Sequence, residues 1–349
     1  MDAQGRGMGA VMHRDVRANE ALLTPMDARR PSRPKIHCDP ALTEEVVLRE
    51  IRRREEEGDL RASQEYHLQA DPIYERFPVP AREAEFEKLH RKFFLDLGFT
   101  ELVMKAVLEF PELAATEEVF IGNGMTEREE AADLSRDRKR VGIKIRPARF
   151  SDPQGLSLSL RHEFQHVADM LDETFGHPLI HESGLALCAD SPAEAHLIRD
   201  RYRRIWDIYI DGRLRRKGKE TISDKEERYS EFEALFRSQS VSSQQVVAAF
   251  EALWTTEKLT HAEIVEMAGD PNKILERGGA QEEFQQRALF PGSLCPLCRF
   301  PTFHWAEGLH ELPEEVMESL KGDFPMWRPE EGSCERCIEV YRARAGVLT

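Results

Sequence analysis

The chain has 349 residues, a length that accommodates one large domain and a small one. Its 64 acidic and 49 basic side chains leave a net charge of −15, which argues against a general nucleic-acid binder. No apolar run reaches the roughly 18 residues of a transmembrane helix, and residues 1–40 contain no apolar segment of a secretory signal.

The N-terminal part divides into a tail and helices. Residues 1–40 carry scattered arginines and prolines without apolar periodicity, which predicts a disordered tail. Residues 43–57 predict a charged helix that ends at Gly58, within a helical N-terminal extension over residues 41–79. Residues 81–99 place large apolar side chains near helical spacing and predict a strongly amphipathic helix.

Two short segments predict strands. Residues 119–121 form an apolar run that stops at a Gly-Asn-Gly turn, and residues 140–146 alternate apolar with polar side chains. The densely charged stretch between them, residues 126–140, predicts an exposed loop or helix. Both predicted strands therefore precede residues 161–170 along the chain.

The most informative segment is residues 161–170, which contain His162-Glu163-x-x-His166. Two histidines four positions apart on a helix point the same way, so both imidazoles can bind one metal ion. Glu163 lies beside His162 and can take a proton from a water that zinc has made acidic. The pattern predicts two zinc ligands and a general base on one helix. The alternative is an ordinary amphipathic helix with two histidines.

The motif helix and, more loosely, the chain on either side resemble the zincin metallopeptidases. In that family a strand precedes the active-site helix and lies along the substrate cleft. Residues 140–146 are the corresponding predicted strand in this chain. The resemblance implies an α+β, mostly helical fold, with a zincin-like core and a small edge sheet over residues 80–285. It also implies that Glu163, as general base, activates a zinc-bound water for hydrolysis of peptide bonds in a peptide or protein substrate. Two alternatives stay open: a non-enzymatic zinc-binding interaction or regulatory protein, and a zinc hydrolase acting on a non-peptide amide.

The third zinc ligand must come from further along the chain, because no third histidine closely follows the motif. Residues 192–214 predict a helix on which Asp207 and Asp211 share one stripe among apolar residues. This stretch resembles a pattern of aromatic residue, acid and arginine in some intracellular zincin-like families. On that resemblance Asp211 is the expected third ligand and Asp207 the alternative or a supporting residue. A solvated acidic stripe paired with arginines is the structural alternative.

Two further acids are candidates around the same site. Glu231, in a helix predicted over residues 224–238, would be the third ligand if the chain followed the branch of the family that uses a glutamate. Asp169 lies one turn beyond His166 and is spaced to accept the second N–H of a ligating histidine. An exposed helix residue is the alternative for Asp169.

The C-terminal part contains two C-x-x-C pairs, formed by Cys295, Cys298, Cys334 and Cys337. Such pairs present thiolates to one tetrahedral zinc, with a helix predicted over residues 312–320 between them. Residues 290–345 therefore predict a small zinc-stapled module, with disulfides, a redox dithiol or unrelated thiols as alternatives. A closed four-cysteine site has no open position, so this zinc is structural, and the chain is expected to bind two Zn²⁺ ions, one catalytic and one structural.

The location and partners follow from the same features. Paired C-x-x-C motifs without a signal sequence fit a reducing, cytoplasmic setting. A protein partner could bind through the zinc module, whereas a membrane partner is not expected.

Overall fold

The computed structural model describes residues 33–178, 192–238, 241–279 and 289–347. It has a mostly helical α+β fold, as expected. The elements are β1 (Lys35–Cys38), α1 (Pro40–Glu56), α2 (Arg61–Arg76), α3 (Val79–Asp96), α4 (Phe99–Val107), β2 (Glu118–Asn123), β3 (Ala131–Leu134), β4 (Arg140–Ile145), α5 (Pro153–Leu171), α6 (Pro192–Arg216), α7 (Lys225–Phe236), α8 (Ser243–Thr255), α9 (His261–Gly269), α10 (Asn272–Arg277), α11 (Glu314–Asp323) and α12 (Glu335–Arg344).

The strands form one four-stranded sheet in the order β1-β2-β4-β3. The first three are parallel, and β3 is an antiparallel edge strand. The two strands predicted from sequence are β2 and β4, and both predictions are confirmed. Val141, Ile143 and Ile145 of β4 turn one face into the core, as their alternation indicates.

Two strands lie where the sequence did not predict them. β1 falls within the range expected to be a disordered tail, so that expectation does not hold for Lys35–Cys38; residues 1–32 of the tail lie outside the described residues. β3 falls within the charged stretch 126–140, and Leu134 is its buried residue. Each strand has four residues and lies at a sheet edge, where polar side chains remain in solvent and mask the strand pattern.

The first helices contribute side chains to the main core. α1 buries Leu42, Val46 and Val47 and packs against α3, and it also contacts the turn that follows β4. Their side chains join one continuous hydrophobic core with those of the sheet and of α5 to α10. The boundaries expected from sequence, an extension over residues 41–79 and a domain over residues 80–285, stay predictions.

α5 and α6 are the two helices that position the candidate site. α5 begins at Pro153, and the Asp152 carboxylate caps it by accepting a hydrogen bond from the Gln154 amide at 3.1 Å. One face of α5 is fully buried through Leu156, Leu160 and Phe164, which anchors the helix and leaves the histidine face toward α6.

Residues 289–347 form a small module with a hydrophobic core of its own. Leu297, Val316, Leu320 and Ile338 pack there with two of the cysteines. The helix expected between the cysteine pairs is α11, and it packs against α12. Among the described residues, no helix combines the length and apolarity needed to cross a membrane.

Candidate metal centres

Three potential ligand atoms converge between α5 and α6. Asp207 Oδ1 lies 3.3 Å from His162 Nε2 and 3.2 Å from His166 Nε2. The two Nε2 atoms are themselves 3.2 Å apart. Ligands held about 2.0–2.1 Å from a tetrahedral zinc lie about 3.3 Å from one another, so this nearly equilateral triangle has the size of one face of a zinc site.

The three residues form a group that could hold a metal ion, and all three are buried. A helical separation of four residues brings the two imidazoles together, as the motif predicts, with ring centroids 4.9 Å apart. The burial is unusual for two histidines and a carboxylate, because polar groups lose hydration there unless they bind one another or a cation. The fit to a divalent cation therefore rests on both geometry and burial.

Asp211 occupies a different position from Asp207. It is fully buried, and its Oδ1 lies 2.9 Å from Nδ1 of His162. Burial opposes protonation of His162, yet the charge of Asp211 and hydrogen bonds that the ring donates to both carboxylates raise the pKa of this imidazole to about 10. A cation bound among His162, His166 and Asp207 would replace the Nε2 proton, while the Nδ1–H group would still donate to Asp211 and orient the ring.

A pair of arginines balances the acids. Arg228 Nε donates to Asp211 Oδ2 at 2.6 Å and its Nη1 donates to Glu231 Oε2 at 2.9 Å. Arg204 also donates to Glu231. Glu231, one of the alternative ligands, is thus paired with two guanidinium groups and does not belong to the converging triangle.

The charge of Asp207 is stabilised in the same network. Burial works against its ionisation, but hydrogen bonds from His162 and His166 and the charge of Arg228 hold the pKa of this carboxyl well below its usual value. The carboxylate is therefore ionised at neutral pH, as a ligand must be.

Asp169 does not bond to a histidine among the described contacts. It accepts from the Trp206 indole at 2.8 Å and from Arg213 Nη2 at 2.6 Å. The Trp206 ring stands edge-on to His166, with centroids 4.4 Å apart. Asp169 therefore acts on His166 through the position of Trp206, and not by the direct hydrogen bond expected from its spacing.

Glu163 is half-buried beside His162 on α5. Within the described ranges no hydrogen bond engages its carboxylate. Its charge contributes to the raised pKa of Arg149, which is due mainly to the hydrogen bond between Arg149 and Glu130.

Several neighbours of the site had no signal in the sequence. His261 is the first residue of α9, and a hydrogen bond of 2.8 Å joins its Nδ1 to the Tyr202 hydroxyl. The centroids of the His261 and His177 rings are 5.0 Å apart. Burial and the charge of His261 lower the pKa of His177 to about 4. In the sequence, the only signal for Arg228 is its i,i+3 spacing to Glu231. No local pattern points to His261.

The second centre is the cluster of four cysteines in the C-terminal module. Their sulfur atoms all lie within 4.8 Å of one another, with Cys295 Sγ 3.9 Å from Cys337 Sγ and Cys298 Sγ 3.8 Å from Cys334 Sγ. Sulfurs about 2.3 Å from a tetrahedral zinc are about 3.8 Å apart, whereas a disulfide bond is about 2.05 Å long. The cluster could hold a structural zinc, and all four thiols are free of disulfides.

The local backbone explains how the thiols come together. The Arg299 amide donates to the Cys295 carbonyl at 2.8 Å and closes the first knuckle, and Cys334 is the residue before α12. Cys337 thus lies in the first turn of α12, where burial and hydrogen bonds with Cys334 and Cys298 raise the pKa of its thiol. Burial opposes ionisation of Cys295, but backbone N–H groups of Cys298 and Cys334 lower the pKa of its thiol to about 7.

Comparison of the chain with protein-family models, with curated proteins and with solved structures finds no match. The zincin resemblance therefore rests on the sequence motif.

Proposed function

We propose that the protein is a zinc-dependent hydrolase that cleaves peptide bonds. The observation that carries the proposal is the convergence of His162 Nε2, His166 Nε2 and Asp207 Oδ1 on one point, beside a glutamate with no hydrogen-bond partner among the described residues. Three protein ligands leave a tetrahedral ion one open position, which distinguishes a catalytic site from the closed four-cysteine site.

Each residue has a distinct role in this proposal. His162, His166 and Asp207 hold the zinc, and Asp211 fixes the tautomer and orientation of His162. When bound, zinc acts as a Lewis acid and lowers the pKa of a water toward neutrality. Glu163 accepts the proton of that water and later delivers it to the leaving nitrogen. The assignment of Asp207 as ligand and Asp211 as supporting residue exchanges the order of preference expected from sequence.

The decisive experiment replaces Glu163 with glutamine in the full-length, zinc-loaded protein. We expect hydrolysis of a quenched fluorescent peptide library to fall by at least about 10²–10⁴-fold, because the amide cannot accept the proton. Zinc content should be unchanged, because Glu163 does not bind the ion. Glu173→Gln, an exposed glutamate just beyond α5, is the matched control and should retain full activity.

Two results would refute the proposal. One is hydrolysis that persists in Glu163→Gln. The other is the absence of peptide cleavage by zinc-loaded wild-type protein. A parallel assay with acylated non-peptide amides separates the two substrate classes, because a hydrolase of the second kind would cleave these and leave the peptides intact.

A further inference from the structure

A second cleft lies away from the histidine site, where the C-terminal module meets the main domain. It has a volume of about 720 Å³ and is lined by the first half of α6, the turn between α9 and α10, and the module around Trp305 and Arg328. Arg201, on the α6 wall, is about 9 Å along the helix from Asp207 and faces a different side. The cleft is therefore distinct from the proposed catalytic centre.

Arg201 is the most unusual residue of this cleft. Its side chain is only 3% exposed, and its hydrogen bonds, to the Pro291 carbonyl and Ser293 Oγ, are both 3.4 Å long. Its buried Nε has no hydrogen-bond partner among the described residues. Burial lowers the pKa of this guanidinium to about 10. A buried cation compensated only by these hydrogen bonds and by the face of the Phe290 ring, 6.0 Å from its Cζ, is costly, and an anion bound in the cleft would relieve the cost.

The acids around Arg201 do not neutralise it by direct contact. Asp270 accepts from the amide and side chain of Asn272 at 3.1 and 2.9 Å and so closes the turn before α10. Glu194 and Asp270 act on Arg201 only through their charge, without an ion pair between described atoms. The guanidinium, which is part of the cleft lining, consequently keeps unused hydrogen-bonding capacity at Nε.

The charges that line the cleft indicate what kind of anion fits. Three arginines give the lining positive charge: Arg201, Arg299 and Arg328. Four acidic residues give it negative charge: Glu194, Asp270, Glu330 and Glu331. These acids would repel a polyanion such as a nucleic acid or a nucleoside triphosphate. A molecule with one carboxylate and one ammonium group can satisfy both signs, and guanidinium groups bind carboxylates in a bidentate geometry.

We propose that this cleft is a binding site for a small zwitterion, an amino acid or short peptide, whose terminal carboxylate binds Arg201. The acids outside α6, Asp270, Glu330 and Glu331, bind its ammonium group. Because the site lies between α6 and the four-cysteine module, its ligand bridges the two cores. The proposal does not depend on hydrolysis at the histidine site.

The test measures binding of tri-alanine to the zinc-loaded full-length protein by calorimetry. We expect a millimolar Kd for tri-alanine, a loss of at least tenfold for its C-terminal amide, and a similar loss in Arg201→Gln. Arg199→Gln, an exposed arginine on the same helix, is the matched control and should bind like wild type. Free alanine, titrated in parallel, distinguishes an amino-acid site from a peptide site.

A second measurement covers the possibility that Arg201→Gln does not fold. In the wild-type protein, tri-alanine should shift the Arg201 Nε–H resonance in a spectrum of ¹⁵N-labelled arginine side chains, and the C-terminal amide should not. The proposal is overturned by the absence of such a shift at 50 mM peptide, by equal binding of acid and amide, or by tighter binding of inorganic phosphate. Unaltered binding in a folded Arg201→Gln would overturn it equally.

Discussion

Asp207 and Asp211 lie one helical turn apart on α6 and face different atoms of the same imidazole. Asp207 Oδ1 lies 3.3 Å from Nε2 of His162, and Asp211 Oδ1 lies 2.9 Å from Nδ1. Residues four apart on a helix share one stripe, so both carboxylates can reach the same imidazole. One carboxylate can therefore share a metal with the ring while the other orients it.

Substitution of these two acids separates the two roles. Asp207→Ala should lose zinc from the histidine centre, because two histidines alone make a weak site. Asp211→Asn should keep the zinc with an affinity about 10–100-fold lower, since it only weakens the support of a ligand. Chelator competition measures both affinities, and the reverse order would show that Asp211 is the ligand.

The sequence indicated which residue types could form the site, but not which acid lies beside the two histidines in the structure. The pairing of His162 with His166 could be predicted from their spacing on one helix. The pairing of the cysteines within each C-x-x-C motif could be predicted in the same way, because both depend on local geometry. Whether Asp207 or Asp211 lies beside the two histidines depends on the axial position of α6 relative to α5. A shift of about one helical turn would exchange the two acids. Asp169 shows the same limit, because its spacing to His166 is correct but Trp206 and Arg213 occupy its oxygens.

At the scale of elements, Glu130 ties β3 to the chain that follows β4. Its carboxylate accepts from Arg146 Nη2 at 3.1 Å and from Arg149 Nη2 at 2.8 Å. Burial raises the pKa of Glu130, but these two guanidinium groups outweigh burial and lower it overall. The edge strand is thus fixed next to the start of the motif helix.

This ion-pair cluster should make part of the stability dependent on pH. A carboxyl with a lowered folded-state pKa stabilises above its unfolded value of 4.5, and the contribution is lost as pH falls through the lower folded value. Glu130→Gln should reduce the free energy of unfolding by about 1–3 kcal/mol at pH 7 and by less at pH 3.5. Urea unfolding at the two pH values measures the difference.

Glu127→Gln is the control for this effect, because the Glu127 side chain is 77% exposed and lies 4.0 Å from Arg146. It should change stability little at either pH. An equal loss for Glu130→Gln at both pH values would show that its charge is not what stabilises the strand.

The contact between α6 and α8 depends on Gly212, which lies next to Asp211. A Cβ at this position would collide with the carbonyl oxygen of Trp254. Gly212→Ala should lower the free energy of unfolding by about 1–3 kcal/mol, because the two helices must separate. Gly269→Ala is the control, since a Cβ there meets nothing within 4 Å. Thermal unfolding compares the two variants, and equal melting temperatures would contradict the argument.

Most helices could be predicted from sequence because their signals are local. α7, α8 and α9 each begin with a capping box, at Asp224, Ser242 and Thr260, and each carries apolar residues at helical spacing. β1 has no comparable signal, because Lys35 becomes part of a strand only when it lies beside Glu118, far along the chain. A strand that forms through long-range pairing of this kind cannot be predicted from its own four residues.

At the scale of the whole molecule, the two candidate metal centres belong to two separate hydrophobic cores. The histidine centre lies in the larger core between α5 and α6. The cysteine centre lies inside the smaller one, where Cys295 and Cys334 are themselves core residues. Loss of one ion should therefore affect one core and leave the other intact.

Cys298→Ser tests this independence. The zinc content should fall from two ions per chain to one, and the module should unfold because metal binding supplies much of the folding free energy of so small a unit. Limited proteolysis should then cleave within residues 289–347 and leave residues 33–178, 192–238 and 241–279 resistant. Cys38→Ser is the control and should retain both ions; cleavage throughout the Cys298→Ser chain would indicate a single cooperative unit.

The separation of the histidine pair from its acid also has a consequence for biosynthesis. His162 and His166 precede Asp207 by about 40 residues, and Arg228, which holds Asp211, follows later still. A nascent chain that has exposed only α5 carries the two imidazoles and Glu163 without a third ligand. The three candidate ligands therefore come together only after α6 has emerged from the ribosome and packed against α5, and the Arg228 contact that holds Asp211 forms later still, with α7.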